Sequence, residues 1–217
     1  MAGLFVKDLR LLMQRKQSII LFLGIALIMG FTMDGSFIMG YLPLLFAVLS
    51  IGTISFDEAD NGYPFLMSLP IKRSDYVKAK YIFCFLGALC GWVMAIVIYF
   101  IANRTRGVTL SMGEELMTAA MFIPLLIIVC SILIALQLKF GAEKSRIILL
   151  MIYGIFAVLA VLGSNLLKNT DPEKMAWIKN LDQVSGGTFV AAAFLLSIIT
   201  FVICYLWSVS FMNKKEY

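Results

Sequence analysis

Histidine is absent from all 217 residues, and only 14% of the residues are charged, against about 25% in soluble domains. Without histidine the commonest metal ligand and the commonest general base are missing. Cysteine is scarce too. Cys84, Cys90, Cys130 and Cys204 all fall inside apolar runs, which argues against a disulfide framework and makes them small packing residues. None has a partner base, so thiol catalysis is not expected. No G-x-x-x-x-G-K-[ST] loop is present, so the chain has no cradle of its own for nucleotide phosphates. The long apolar runs lack Asp, Glu, Lys and Arg in their interiors, whereas an ion-coupled carrier usually places such a group at membrane depth.

What is present is apolar: 61% of the chain, more than the roughly 45–50% of a soluble domain. One soluble core cannot hide that excess, whereas six helices of roughly 20 residues in lipid can. Six runs stand out, at 18–33, 36–56, 81–102, 117–138, 147–167 and 188–212. The reading is an all-α polytopic membrane protein, a single transmembrane domain over 1–217 with six transmembrane helices. The first run is read as a retained span, because charges continue to Lys16 and no cleavage-type site follows at Gly30. The turn Met33-Asp34-Gly35 should make spans one and two a tight hairpin.

Cations set the orientation. With the N-terminus inside, the outer segments hold only Arg104, Arg106, Lys168, Lys174 and Lys179 of the 18 Lys and Arg residues. Both termini are therefore expected in the cytoplasm. The net charge of +5 sits in segments flanking apolar runs, which fits an anionic inner leaflet rather than nucleic acid.

Three segments outside the runs carry a pattern. Phe5, Leu9, Leu12 and Met13 line one helical face and Lys7, Arg10, Gln14 and Gln17 the opposite one. This is either a helix lying at the interface or a basic flank that aids insertion. The segment 168–187, with Met175, Trp177, Ile178 and Leu181 among charges, is an external helix dipping into headgroups or a solvated loop. The third segment, 57–80, is the longest cytoplasmic loop. Pro70 there suits the first turn of a helix, with Ser68 a nearby cap, and the residues after it can continue as a helix into the third span. A six-span chain with neither nucleotide nor ion site is a passive channel, a structural protein, or the membrane half of a machine powered by another subunit. The patterned loop favours the last.

That loop reads SFDEADNGYPFLMSLPIKRSDYVKAKY. Its acidic pair Asp57 and Glu58, its Ser68-Leu69-Pro70 element, its basic pair Lys72-Arg73 and its Val77-Lys78-Ala79-Lys80-Tyr81 run into the next span resemble the first cytoplasmic loop of small bacterial ABC exporter permeases of the ABC-2 class, particularly the branch of the phenol-soluble modulin exporters. The opening Leu4-Phe5-Val6-Lys7-Asp8-Leu9 is similar as well. The resemblance implies the topology of ABCG-type exporters, with an N-terminal interfacial helix and a coupling helix between spans two and three that docks on an ATPase. Phe65, Leu66, Leu69, Ile71 and Tyr76 would form the core of that contact, beside Pro70, and Asp57, Glu58, Lys72, Arg73 and Asp75 its rim. The other reading of these apolar residues is packing against headgroups. The resemblance implies two ABC ATPase subunits, which would bind ATP and magnesium, and a second permease copy or related permease. The chain itself needs no cofactor and no metal, and is not an enzyme.

Gly87-x-x-x-Gly91 is the best small-residue motif, with Ala26/Gly30 and Ala160/Ser164 weaker. Each serves helix packing within the chain or a dimer contact. Pro43 and Pro124 each lie seven residues into a span descending from the outer face, roughly 10 Å deep by helical rise. They are either bends of an outer vestibule or tolerated membrane prolines. A mainly apolar pathway with scattered hydroxyls fits amphipathic or hydrophobic cargo, such as a peptide, a lipid-like molecule or an antibiotic. The competing function is a non-transporting membrane scaffold or immunity protein that binds a toxic peptide. The orientation is directly testable: in a cysteine-free background, a cysteine at Asn61 should resist an impermeant thiol reagent in intact cells and one at Asn169 should react. Labelling at Asn61 would reverse the topology.

Overall fold

The computed structural model describes residues 2–32, 36–58, 62–68, 71–107, 112–168 and 186–214. Every element among them is a helix: α1 (Ala2–Gln14), α2 (Lys16–Thr32), α3 (Ser36–Glu58), α4 (Gly62–Ser68), α5 (Arg73–Thr105), α6 (Met112–Lys168) and α7 (Gly186–Lys214). In lipid each backbone polar group must find its partner within the segment, so apolar runs of this length become helices. Four helices are long and apolar enough to span a membrane among the described residues, and a fifth span results if α1 and α2, bent by 66° at Arg15, count as one.

Three boundaries differ from expectation. The span expected from 81 begins at Arg73, two turns earlier, and so takes Tyr76 and Lys80 into the helix. The helix expected from Pro70 into the third span starts at Arg73 as α5, after Lys72 in extended backbone (φ −72°, ψ 141°), and a further short helix, α4, precedes it. Ser68 is therefore no N-cap. Its hydroxyl donates to the Phe65 carbonyl at 2.7 Å in the last turn of α4. Lastly, the fourth and fifth apolar runs are joined by one break instead of a loop. Gly141 (φ 80°, ψ 175°) interrupts α6 and the helix resumes to Lys168. Positive φ suits glycine, and a Cβ at Gly141 would collide with the Glu58 carboxylate. The turn at 33–35, the segment 169–185, Leu69, Pro70, Asn61 and Asn169 lie outside the described residues, as do the side chains of Ala160 and Ser164.

The helices alternate in direction. At one end Arg106 donates to the Gly30 carbonyl at 2.9 Å, tying the top of α5 to the last turn of α2. At the other end, called the base here, Gln137 donates to Ser55 at 2.7 Å, and Arg73 donates to the carbonyls of Met212 and Asn213 at 3.1 and 2.8 Å. Both α1 and the end of α7 thus meet the first turns of α5.

The centre is built on α3, which packs against α5 and α6, while α7 leans on α6 and α5. Glycine brings α3 and α5 close. A Cβ at Gly91 would lie 2.9 Å from the Pro43 Cα, and one at Gly87 would strike the Ser50 hydroxyl. Gly30 likewise faces Ile38 and Ile98, with Ala26 fully buried beside it. These small residues are thus taken up by neighbouring helices of the same chain. Hydroxyls within the bundle turn back on their own helices: Ser50, Ser131 and Ser208 donate to carbonyls four residues earlier at 2.7 to 2.8 Å. Outward faces are apolar, as along α5 at Ile82, Leu86, Leu89, Val93, Val97 and Ile101, which suits lipid contact.

Candidate functional site

Four charged side chains gather at the base, where α1, α3 and α5 meet. Lys80 is 2% exposed and Asp8 1%. The Lys80 ammonium donates to both Asp8 carboxylate oxygens at 2.7 and 2.8 Å and to Thr53 Oγ1 at 3.1 Å, and lies 2.7 Å from Asp57 Oδ2. Lys7 pairs with Asp57 Oδ1 and reaches Asp8 at 3.6 Å. The Tyr76 hydroxyl donates to Asp57 Oδ2 at 2.9 Å. Two cations thus meet two anions, and the polar atoms around them have partners.

That balance is what makes the burial tolerable. An isolated charge in an apolar interior costs many kcal/mol, whereas a paired and hydrogen-bonded one does not. The geometry follows from local structure. On α1, Leu4 and Asp8 are buried one turn apart, with Leu11 and Leu12 half-buried beyond them. On α5, Tyr76 and Lys80 are also one turn apart on a common face. On α3, Thr53 and Asp57 complete the set. Tyr63 of α4 packs edge-on against Tyr76 at 5.9 Å between ring centroids, so the short helix leans on the same cluster. Gly62 lets α4 start this close, since a Cβ there would stand 2.6 Å from the Asp57 carbonyl oxygen.

The expected contact residues divide into two sets. Asp57 and Glu58, expected on a charged rim, turn inward: Asp57 into the cluster and Glu58 toward the break at Gly141. Tyr76 and Leu66 are buried, and Ile71 is half-buried against the same core. Arg73 holds the end of α7, and Asp75 is half-buried. Phe65, 70% exposed, and Lys72 face outward. Leu69 and Pro70 lie outside the described residues. Pro43 and Pro124 are both buried inside the bundle. Between their helices is a gap of about 30 Å³ lined by Gly40, Leu44, Phe122 and Leu125. Among the described residues no group of three Asp, Glu, Cys or His side chains is placed to hold a metal.

Sequence reasoning missed Lys7, Asp8 and Lys80 as a unit with Asp57. One signal was available: Asp8 is an acid within an otherwise basic flank, one turn from Leu4 and from Leu12. Removing one member of such a cluster should be far worse than removing a pair. Lys80→Met should destabilise the chain by about 3–5 kcal/mol, and adding Asp8→Leu should restore most of that, read as melting temperature in mild detergent. An unchanged melting temperature in Lys80→Met would show that the cluster does not hold the base together.

Comparison with known proteins shows the family of the chain. The family model described as "ABC-2 family transporter protein" matches residues 3–213, from the Gly3 turn of α1 to the last turn of α7. No curated protein and no solved structure matches the chain. The match takes in the charge cluster, α4 and every described helix that can span a membrane. The chain therefore belongs to the ABC-2 transporter family, whose members are membrane permeases of ABC transporters that work with a separate ABC ATPase.

Proposed function

We propose that this chain is the membrane-spanning permease subunit of an ATP-driven exporter that moves an amphipathic or hydrophobic cargo, foremost a peptide, out of the cytoplasm or the inner leaflet. The family match over residues 3–213 carries the reading. In this proposal the chain makes six spans in a bacterial cytoplasmic membrane, the sixth supplied by α6 beyond Gly141. Both ends and the base with its charge cluster face the cytoplasm, and α1 lies along the interface. A second permease copy or related permease completes the pathway, and two ATPase subunits bind ATP and magnesium beneath it.

Coupling is assigned to α4 and to Lys72 at the start of α5. Phe65 and Pro64 are exposed on α4, and Lys72 is exposed at the start of α5. An exposed aromatic beside a cation suits the anchor of a protein contact. Behind them, Tyr63, Tyr76 and Asp57 give α4 a firm backing, so a push on it reaches α1, α3 and α5 together. Pro43 and Pro124 mark where α3 and α6 can flex toward the opposite side. The largely apolar outward faces and self-satisfied hydroxyls suit an apolar cargo better than a small ion.

The substitution that tests coupling is Phe65→Asp, because Phe65 makes no contribution to the buried core while Tyr76 does. The variant should insert at normal levels and melt like the parent, yet retain at least tenfold less ATPase on purification, since a charge in a desolvated hot spot costs about 2 kcal/mol or more. Full retention of the ATPase by Phe65→Asp would remove α4 as the coupling element.

A further inference from the structure

An open groove of about 340 Å³ lies on the outer side of the bundle between α1, α3 and α5, within the size range of small-ligand sites, about 300–1,000 Å³. Its walls are hydrocarbon: Phe5, Leu9 and Leu12 of α1, Phe46 of α3, and Leu86 and Cys90 of α5. The hydroxyl that borders it, Ser50, already donates to the Phe46 carbonyl. The occupant must therefore be apolar along its length, with no polar group to satisfy inside.

Length and charge narrow the choice. On α5 the groove is lined from Phe83 to Cys90, about 10 Å of helical rise, and its top lies roughly 15 Å above the level of Lys80. That height equals the hydrocarbon depth of a single leaflet, half of about 30 Å. The helix that walls the groove, α1, and the start of α2 after it expose Arg10, Arg15 and Lys16, the Arg15 guanidinium resting 4.6 Å above the Phe56 ring. The acid of this segment, Asp8, is buried and held by Lys80 and Lys7, so among the described residues of α1 and the start of α2 the exposed charge is of one sign. An apolar slot that ends a leaflet's depth above the charge cluster, beside a cationic segment, matches one molecule in particular.

We propose that the groove seats an acyl chain of an anionic glycerophospholipid from the leaflet on the α1 side, its phosphate held by the Arg10, Arg15 and Lys16 group. The bound chain fills the space under α1 that protein leaves open, bracing Leu9 and Leu12 against α3 and α5. Anionic lipid thereby becomes a structural partner that sets how firmly α1 sits. The inference depends on the membrane setting and the groove, and not on what the permease carries.

The test places one tryptophan in the groove. Full-length chain with Leu86→Trp, and with Trp92, Trp177 and Trp207 changed to Phe, is reconstituted in bilayer discs containing phosphatidylglycerol or phosphatidylcholine with brominated chains. At equal mole fraction the anionic lipid should be preferred at the reporter on the order of fivefold, the effect of about one cation near an anionic surface. The preference should vanish when Arg10, Arg15 and Lys16 are all changed to Gln. Equal quenching by the two lipids would mean bulk lipid only and overturn the proposal. So would a preference that survives the triple change, or a reporter that neither lipid quenches, which would mean a second protein segment covers the groove.

Discussion

The burial of Lys80 is the constraint around which the base of this protein is arranged. An ammonium 2% exposed among apolar helices requires counter-charges and acceptors on every side, and the chain supplies them from three elements: Asp8 of α1, Thr53 and Asp57 of α3, and its own neighbour Tyr76 through Asp57. The consequence is mechanical. Among the described residues of α1, Leu4 is the buried hydrophobic, and one turn on Asp8 fixes the helix to the bundle by charge. Helix α4 rests on the same group through Tyr63.

Much of the architecture is legible in the sequence, because lipid imposes a strong rule: apolar runs of sufficient length become helices. The runs at 36–56, 81–102, 117–138 and 188–212 correspond to helices that meet the length and hydropathy needed to cross. The basic flanks and the patterned loop 57–80 led to the family by residue pattern, and the family match covers the chain. Boundaries were less legible. Lys80 stands in the sequence just ahead of the apolar run that starts at 81, whereas in the structure it is buried, with Tyr76, inside a helix that begins at Arg73. Flank and interior look alike until the partner charges are known.

The cluster itself was not legible for a related reason. Its members lie at 7, 8, 57 and 80, and no local spacing rule joins them. The family resemblance implies that Asp57 and Glu58 belong to the acidic rim of a docking surface. Here Asp57 is one of the anions that neutralise Lys80 and Lys7, and Glu58 turns to the Gly141 break. The glycines behaved differently: Gly87 and Gly91 mark a close helix approach, which their spacing announced, and the structure shows the approaching helix to be α3 of the same chain.

A chain that belongs to the ABC-2 family, has no nucleotide loop and carries a braced, outward-facing short helix at its base is accounted for as one half of a powered machine. The most direct test is affinity purification of the full-length chain from its native membrane in mild detergent, followed by measurement of ATP hydrolysis on the purified material. The account predicts a stoichiometric ABC ATPase lacking membrane spans, with hydrolysis that rises when an amphipathic peptide cargo is added. Repeated isolation of the chain with a bound peptide, no ATPase and no hydrolysis would contradict it and identify the protein as a membrane scaffold instead.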